Sequence, residues 1–211
     1  MPHHEIPLLP GCRYHLYNHA NGFENLFVNE GNYTFFLRKY AQYINPVADT
    51  FAYCLMPNHF HLCIQIKSEA DLYPAQLSES LKLSESSSPA VLSSKISRCF
   101  GNLFSSYTQA FNKQQNRRGS LFVSNFKRKE VDDDWYFARL IHYIHYNPVH
   151  HGFVEHPAEY AHSSFCSLLS DRPTHLQRAE VMDFFGGRDA FLEAHNLAPD
   201  DAVVKLVLDW L

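Results

Sequence analysis

His59 and His61 stand two residues apart in the stretch Tyr53-Cys-Leu-Met-Pro-Asn-His-Phe-His-Leu-Cys-Ile-Gln65, which is rich in strand-forming types. Successive side chains on a strand point to opposite faces, so the two imidazoles project together while Phe60 turns the other way. Two imidazoles on one side of a strand make half of a metal site. The competing reading is a hydrophobic strand with two incidental histidines, in a chain that has 14 of them. A second segment bears on the choice. Trp135-Tyr-Phe-Ala-Arg-Leu-Ile-His-Tyr-Ile-His-Tyr-Asn-Pro148 has no glycine, follows Asp132-Asp133-Asp134 and stops at a proline. It reads as a helix whose acidic start suits the positive end of its dipole. Phe137, Leu140, Ile141 and Ile144 form its apolar stripe and leave Arg139, Tyr143 and Asn147 stacked at intervals of four on another face. A tyrosine hydroxyl can cut a phosphodiester and keep the phosphate as a covalent ester. With a pKa of about 10 it needs a site that stabilises its ionised form.

The elements that must position these residues are legible in outline. Residues 12–18 alternate as a strand, and residues 31–45 place Phe35, Phe36, Tyr40 and Ile44 at helical spacing before Pro46. Thr50 to Met56 reads as a second strand and Pro57-Asn58 as the turn into a third, from His59 to Ile66. Residues 68–94 are serine-rich and read as an insertion holding at most a short helix. From Val91 to Gln115, Ile96, Phe100, Leu103, Tyr107 and Phe111 recur at three- and four-residue steps of a long amphipathic helix, which Asn116-Arg-Arg-Gly119 ends. Ser120 to Val131 supplies a fourth strand with a basic tail. The order is β-α-β-β-α-β, so the expected fold is α+β, a ferredoxin-like antiparallel sheet followed by the Tyr143 helix. Beyond Pro157 the chain alternates loops and helical stretches, Ala179–Phe185 and Asp189–His195, divided by Gly186-Gly187. We therefore expect a catalytic domain over 1–156 and a mainly helical extension over 157–211.

Net charge is −4, yet from Ser86 to Lys129 there is no Asp or Glu, while Lys95, Arg98, Lys113, Arg117, Arg118, Lys127, Arg128 and Lys129 all fall there. A basic tract on an acidic chain is an electrostatic footprint for phosphates, or else a solvated polar face. Cys12, Cys54, Cys63, Cys99 and Cys166 are odd in number and contain no Cys-x-x-Cys pair, which suits reduced core thiols. Neither a membrane-length apolar run nor signal-peptide features are present, and a cytoplasmic protein is expected.

The two segments together resemble the HUH single-tyrosine transposases, and most closely their REP-associated branch, in which a His-hydrophobic-His strand is followed by a helix bearing Tyr-Ile-x-x-Asn-Pro-Val. This chain carries Tyr143-Ile-His-Tyr-Asn-Pro-Val149. Arg13-Tyr-His-Leu-Tyr-Asn18, Met56-Pro57-Asn58, Gly119-Ser-Leu-Phe-Val-Ser-Asn-Phe-Lys127 and His151-Gly-Phe-Val154 extend the likeness in the family order, over residues 12–165. The resemblance implies that Tyr143 is the nucleophile, that His59, His61 and Asn147 hold Mg²⁺ or Mn²⁺, and that the substrate is single-stranded or hairpin DNA of palindromic repeats. It implies nicking through a 5′-phosphotyrosine link, in transposition or repeat processing, by a monomer or homodimer. Many relatives carry glutamine where Asn147 stands, and Pro148 after it disfavours helical geometry there. Asn147 is otherwise a helix cap. Arg117, Arg118, Lys127, Arg128, Lys129 and Arg139 are the candidate DNA contacts. Tyr107, Tyr136 and Tyr146 are rival nucleophiles, and His142, His145, His150 and His151 are candidate proton carriers. Two other readings stay open: a domesticated nucleic-acid-binding protein of the same fold that no longer cuts, and an unrelated histidine metalloenzyme acting on a small molecule.

Overall fold

The computed structural model describes residues 6–72, 88–200 and 204. The elements run β1 (Arg13–His19), α1 (Glu30–Tyr43), β2 (Ala48–Leu55), β3 (His59–Ile66), α2 (Glu69–Leu72), α3 (Pro89–Gln115), β4 (Lys127–Glu130), α4 (Asp134–His150), a 3₁₀ turn (Pro157–Glu159), α5 (Phe165–Leu169), α6 (Arg178–Phe185) and α7 (Arg188–His195). The strands form one antiparallel sheet in the order β2-β3-β1-β4. Helix starts are set by side chains that accept otherwise unpaired backbone N–H groups: Asn29 for α1, Ser88 ahead of Pro89 for α3, and Asp133 for α4. Asn116, left-handed at φ 51°, ends α3.

Both faces of the sheet are covered. Leu16, Phe60, Leu62 and Ile64 pack against Phe36 and Tyr40 of α1 and Ile96, Phe100, Leu103 and Tyr107 of α3. On the other face Phe51, Cys54 and Cys63 meet Phe137, Leu140, Ile141 and Ile144 of α4, joined by Phe165, Val181 and Phe191. The segment after residue 157 therefore shares a core with α4. It also docks along β2: Leu55 N–H donates to His162 O, Ser164 N–H to Tyr53 O and Gln177 N–H to Thr50 O, each at 2.9 Å.

Two local expectations change. The fourth strand is only Lys127–Glu130, because Asn125 adopts a left-handed conformation (φ 61°) that an extended strand does not pass through. Before it, Leu121 and Phe122 are buried and Phe122 makes an isolated bridge to Ala20. Helix α4 does not stop at Pro148 but continues to His150, with Pro148 inside the helix and the His151 N–H closing it on Asn147 O at 3.0 Å. Most of the serine-rich insertion, residues 73–87, lies outside the described residues; residues 69–72 and 89–94 at its two ends are helical. Among the described residues no helix is long and apolar enough to cross a membrane.

Candidate active site

Strand alternation sets the site. His59 and His61 lie on the face of β3 that α4 covers, with ring centroids 5.2 Å apart. The register of β1 places Tyr17 opposite His61 and His19 opposite His59, and that of β4 places Lys127 opposite Tyr17 and Lys129 opposite His15. One side of the sheet thus carries, from edge to centre, two lysines, then His15 and Tyr17, then the histidine pair. Helix α4 crosses above them. Asn147 Oδ1 lies 3.0 Å from His59 Nε2, and the Tyr143 ring stands edge-on to His61 with centroids 5.6 Å apart. The sequence expectation put Tyr143 and Asn147 on a face separate from the apolar stripe; the structure buries that face as well, leaving Tyr143 1% and Asn147 0% exposed.

The hydrogen-bond ledger of this spot does not balance. His61 Nε2, the Tyr143 hydroxyl and Asn147 Nδ2 are all buried without a partner, and each such group costs about 1–3 kcal/mol. His59 Nδ1 lies 2.8 Å from Asn58 Oδ1, an acceptor, so it carries the ring's one proton and its Nε2 lone pair then faces Asn147 Oδ1. Two acceptors 3.0 Å apart repel. A cation between them, or rotation of the carboxamide, relieves that contact. Burial holds both imidazoles neutral: it brings His59 down to about 4, opposed by the Asn147 contact, and His61 well below its ordinary value, with His15 and His59 adding to the effect. Burial pushes the Tyr143 phenol up to about 12, opposed by Asn147. Neutral imidazoles have lone pairs to give a metal, while the phenol needs nearby positive charge to ionise. Among the described residues no three His, Cys, Asp or Glu side chains gather as a metal site. The donor set is two imidazoles and one carboxamide, with the Tyr143 oxygen beside them.

The remaining expected residues divide sharply. Alternation along β4 sends Lys127 and Lys129 to the histidine side, with Lys127 Nζ 5.8 Å from the Tyr17 ring and Lys129 Nζ 4.4 Å from that of Tyr136. It sends Arg128 to the other side, where it is 7% exposed and donates to Ile6 O and Ser97 Oγ. Arg117 is paired with Glu24, at 2.6 and 3.0 Å, while Arg118 is exposed. Arg139 stacks over Trp135 of its own helix at 3.8 Å. Tyr107 donates to Leu26 O within the opposite core, Tyr146 packs beside His142, and Tyr136 lies buried under Lys129. His151 reaches the rim, 5.2 Å from the His59 ring, whereas His145 points away from the site to His195 and Ser164. His15 and Tyr17 were not singled out, although the i, i+2 logic that selects His59 and His61 applies equally to them.

No family model matches the chain. Over 117 residues, 56% of its length, the chain is 28% identical to a protein of Haemophilus influenzae whose name places it among the REP-associated tyrosine transposases. The match spans 58% of that relative, so the chain accounts for little more than half of it. A REP-associated tyrosine transposase solved bound to a REP hairpin shares the fold, with a TM-score of 0.55 and 13% identity, over 79% of this chain and 85% of the other.

Proposed function

From this homology to the REP-associated tyrosine transposases, we propose that the chain is a metal-dependent transesterase that nicks and rejoins single-stranded DNA beside palindromic hairpins, in transposition or repeat processing. The observation that carries the reading is the convergence of the Tyr143 hydroxyl, His61 Nε2 and the Asn147 carboxamide, unpartnered and buried, next to His59. In the forward step a Tyr143 oxygen–phosphorus bond forms, the bond from phosphorus to the 3′ oxygen breaks, and the products are a 5′-phosphotyrosine and a 3′-hydroxyl that takes up a proton. Reversal rejoins the strand. A Mg²⁺ or Mn²⁺ ion bound by His59, His61 and Asn147 would supply Lewis-acid stabilisation of the charge on the phosphate oxygens and on the phenolate.

The chain's own residues do the rest. His59 and His61 stay neutral and offer their lone pairs because they are buried; Asn147, one helical turn beyond Tyr143, fixes the distance between ligand set and nucleophile. Lys127 and Lys129, on the same side of the sheet, give positive charge to the flanking phosphates. One chain assembles the whole site, because α4 lies over its own β3, so cleavage does not require a second copy to lend its tyrosine. In this reading the sheet order is the ferredoxin-like one and residues 157–200 serve as a brace for α4. The test is a denaturing gel of protein with labelled hairpin DNA and Mn²⁺: a covalent adduct is expected, and its absence on every palindromic substrate would leave a protein of this fold that binds without cutting.

A further inference from the structure

We propose that His15 of β1 is a positioning residue for His61: its Nε2 accepts a hydrogen bond from His61 Nδ1–H and so leaves His61 Nε2 deprotonated and free to ligate an ion. The inference rests on the metal-binding reading of the preceding subsection.

His15 Nε2 and His61 Nδ1 are 2.9 Å apart, and the two residues are 2% and 0% exposed. Their rings stack at 5.1 Å with 23° between planes, and the Tyr17 ring stacks on His15 at 4.9 Å, so the pair is held in one orientation by its neighbours. A neutral imidazole has one N–H and one lone pair, which allows two polarities for this contact. If His15 donates, the proton of His61 must sit on Nε2, where it is a buried donor with no acceptor. If His61 donates, Nε2 carries a lone pair. Only the second polarity lets His61 share an ion with His59, whose own Nδ1 is engaged by Asn58 Oδ1 at 2.8 Å. The two ligands then follow one plan, in which an acceptor on the far side of each ring fixes its tautomer. Asn58 serves His59 and His15 serves His61. Neither acceptor is a carboxylate, so neither subtracts from the positive charge that an ion would present to phosphate.

The test compares His15→Leu, which removes the acceptor, with His15→Gln, whose side-chain oxygen can reach the place of Nε2. Mn²⁺ affinity is titrated without DNA by electron paramagnetic resonance. A loss of about 10–100-fold is expected for His15→Leu and at most a few-fold for His15→Gln, with metal-free hairpin binding unchanged in both. Unchanged affinity in His15→Leu, or equal loss in both variants, overturns the inference. Should His15→Leu fail to fold, a long-range ¹H–¹⁵N spectrum of the histidine-labelled wild type decides: a proton on His61 Nδ1 supports the inference and one on Nε2 overturns it. A wild type that takes up no Mn²⁺ overturns the ion-dependent reading and this inference together, whereas Mn²⁺ bound equally by wild type and His15→Leu removes this inference alone.

Discussion

Helix α4 has a histidine cluster on each side, and the two are built to opposite rules. On one side His145 Nδ1 lies 2.9 Å from His195 Nε2, His195 Nδ1 lies 2.7 Å from Phe191 O, and His145 Nε2 lies 2.7 Å from Ser164 Oγ. The carbonyl accepts, so His195 donates from Nδ1; His145 must then donate to His195, Ser164 to His145, and Tyr53 N–H to Ser164 Oγ at 2.9 Å. Every proton in that chain has a place. On the other side, two residues away along the helix, Tyr143 and Asn147 reach the His59–His61 pair with three polar atoms unpartnered. Burial is nearly complete on both sides, so exposure does not separate them. What separates them is satisfaction: a closed chain holds α7 and the turn before α5 to α4, while an open one has bonding capacity left for a ligand.

The largest effect should come from removing the proposed nucleophile from the open side. Tyr143→Phe removes one oxygen that has no partner in the folded protein, so stability should hold or rise slightly while the covalent adduct disappears from the denaturing gel. An adduct that still forms at the normal rate would shift the role to Tyr136 or Tyr17, buried phenols on the same face of the sheet. His61→Ala should keep hairpin binding and lower the cleavage rate by about 10³-fold, corresponding to several kcal/mol of lost charge stabilisation.

The closed side should respond in the reverse sense. His145→Ala strands His195 Nε2 in a dry core and leaves a cavity, while the Ser164 hydroxyl falls back on Tyr53 O at 3.3 Å, at a cost of about 3 kcal/mol. The melting temperature should fall by several degrees, and protein that remains folded should still form the adduct. A variant that loses the adduct while melting normally would show that the two clusters are not independent.

How far these two clusters could be told apart in sequence is instructive. His59 and His61 announced themselves because a strand period of two needs only two positions to be read, and Tyr143 and Asn147 because four residues return a helix to the same face. The α+β class and the single four-stranded antiparallel sheet agree with the sequence expectation. His145 could not be assigned, since its partners lie 19 and 50 residues away and no local period encodes a tertiary contact. Arg128 reads in the sequence as part of one basic run with its neighbours, although alternation along β4 divides that run between two faces. The sequence predicts a longer fourth strand than the fold has, because Asn125, left-handed in the fold, carries no unambiguous signal in the sequence.

The closed cluster also predicts a pH response. Burial lowers His195 to about 3, the Phe191 carbonyl only partly opposing it. Between its unfolded value of about 6.5 and the folded one, the unfolded chain binds a proton that the folded chain refuses, so stability falls as pH falls. The contribution is fully present above about pH 6.5, and at pH 5 roughly 2 kcal/mol of it is gone. Urea unfolding at pH 7 and pH 5 should show that loss, reduced in His195→Gln. An equal loss in the variant would assign the acid sensitivity to His145, which burial also holds well below its ordinary value, or to the histidines of the open side.

The smallest expected effect distinguishes charge that faces the open cluster from charge that does not. Lys127 and Lys129 share a strand face with His15 and Tyr17, whereas Arg128 between them donates to Ile6 O and Ser97 Oγ on the other side of the sheet. Each phosphate contact to single-stranded DNA contributes about 0.7 to the slope of log affinity against log salt. Replacing both lysines with alanine should therefore flatten that slope by roughly 1.4 if each meets one phosphate. Arg128→Met should leave the slope as it is and lower the melting temperature, because it removes two hydrogen bonds that a buried guanidinium makes beneath α3. Hairpin-binding titrations over a range of salt concentrations separate the two cases. If Arg128→Met flattens the slope as much as the lysine pair does, the basic tract acts as a diffuse field around the sheet edge and the division by strand alternation has no bearing on how DNA is held.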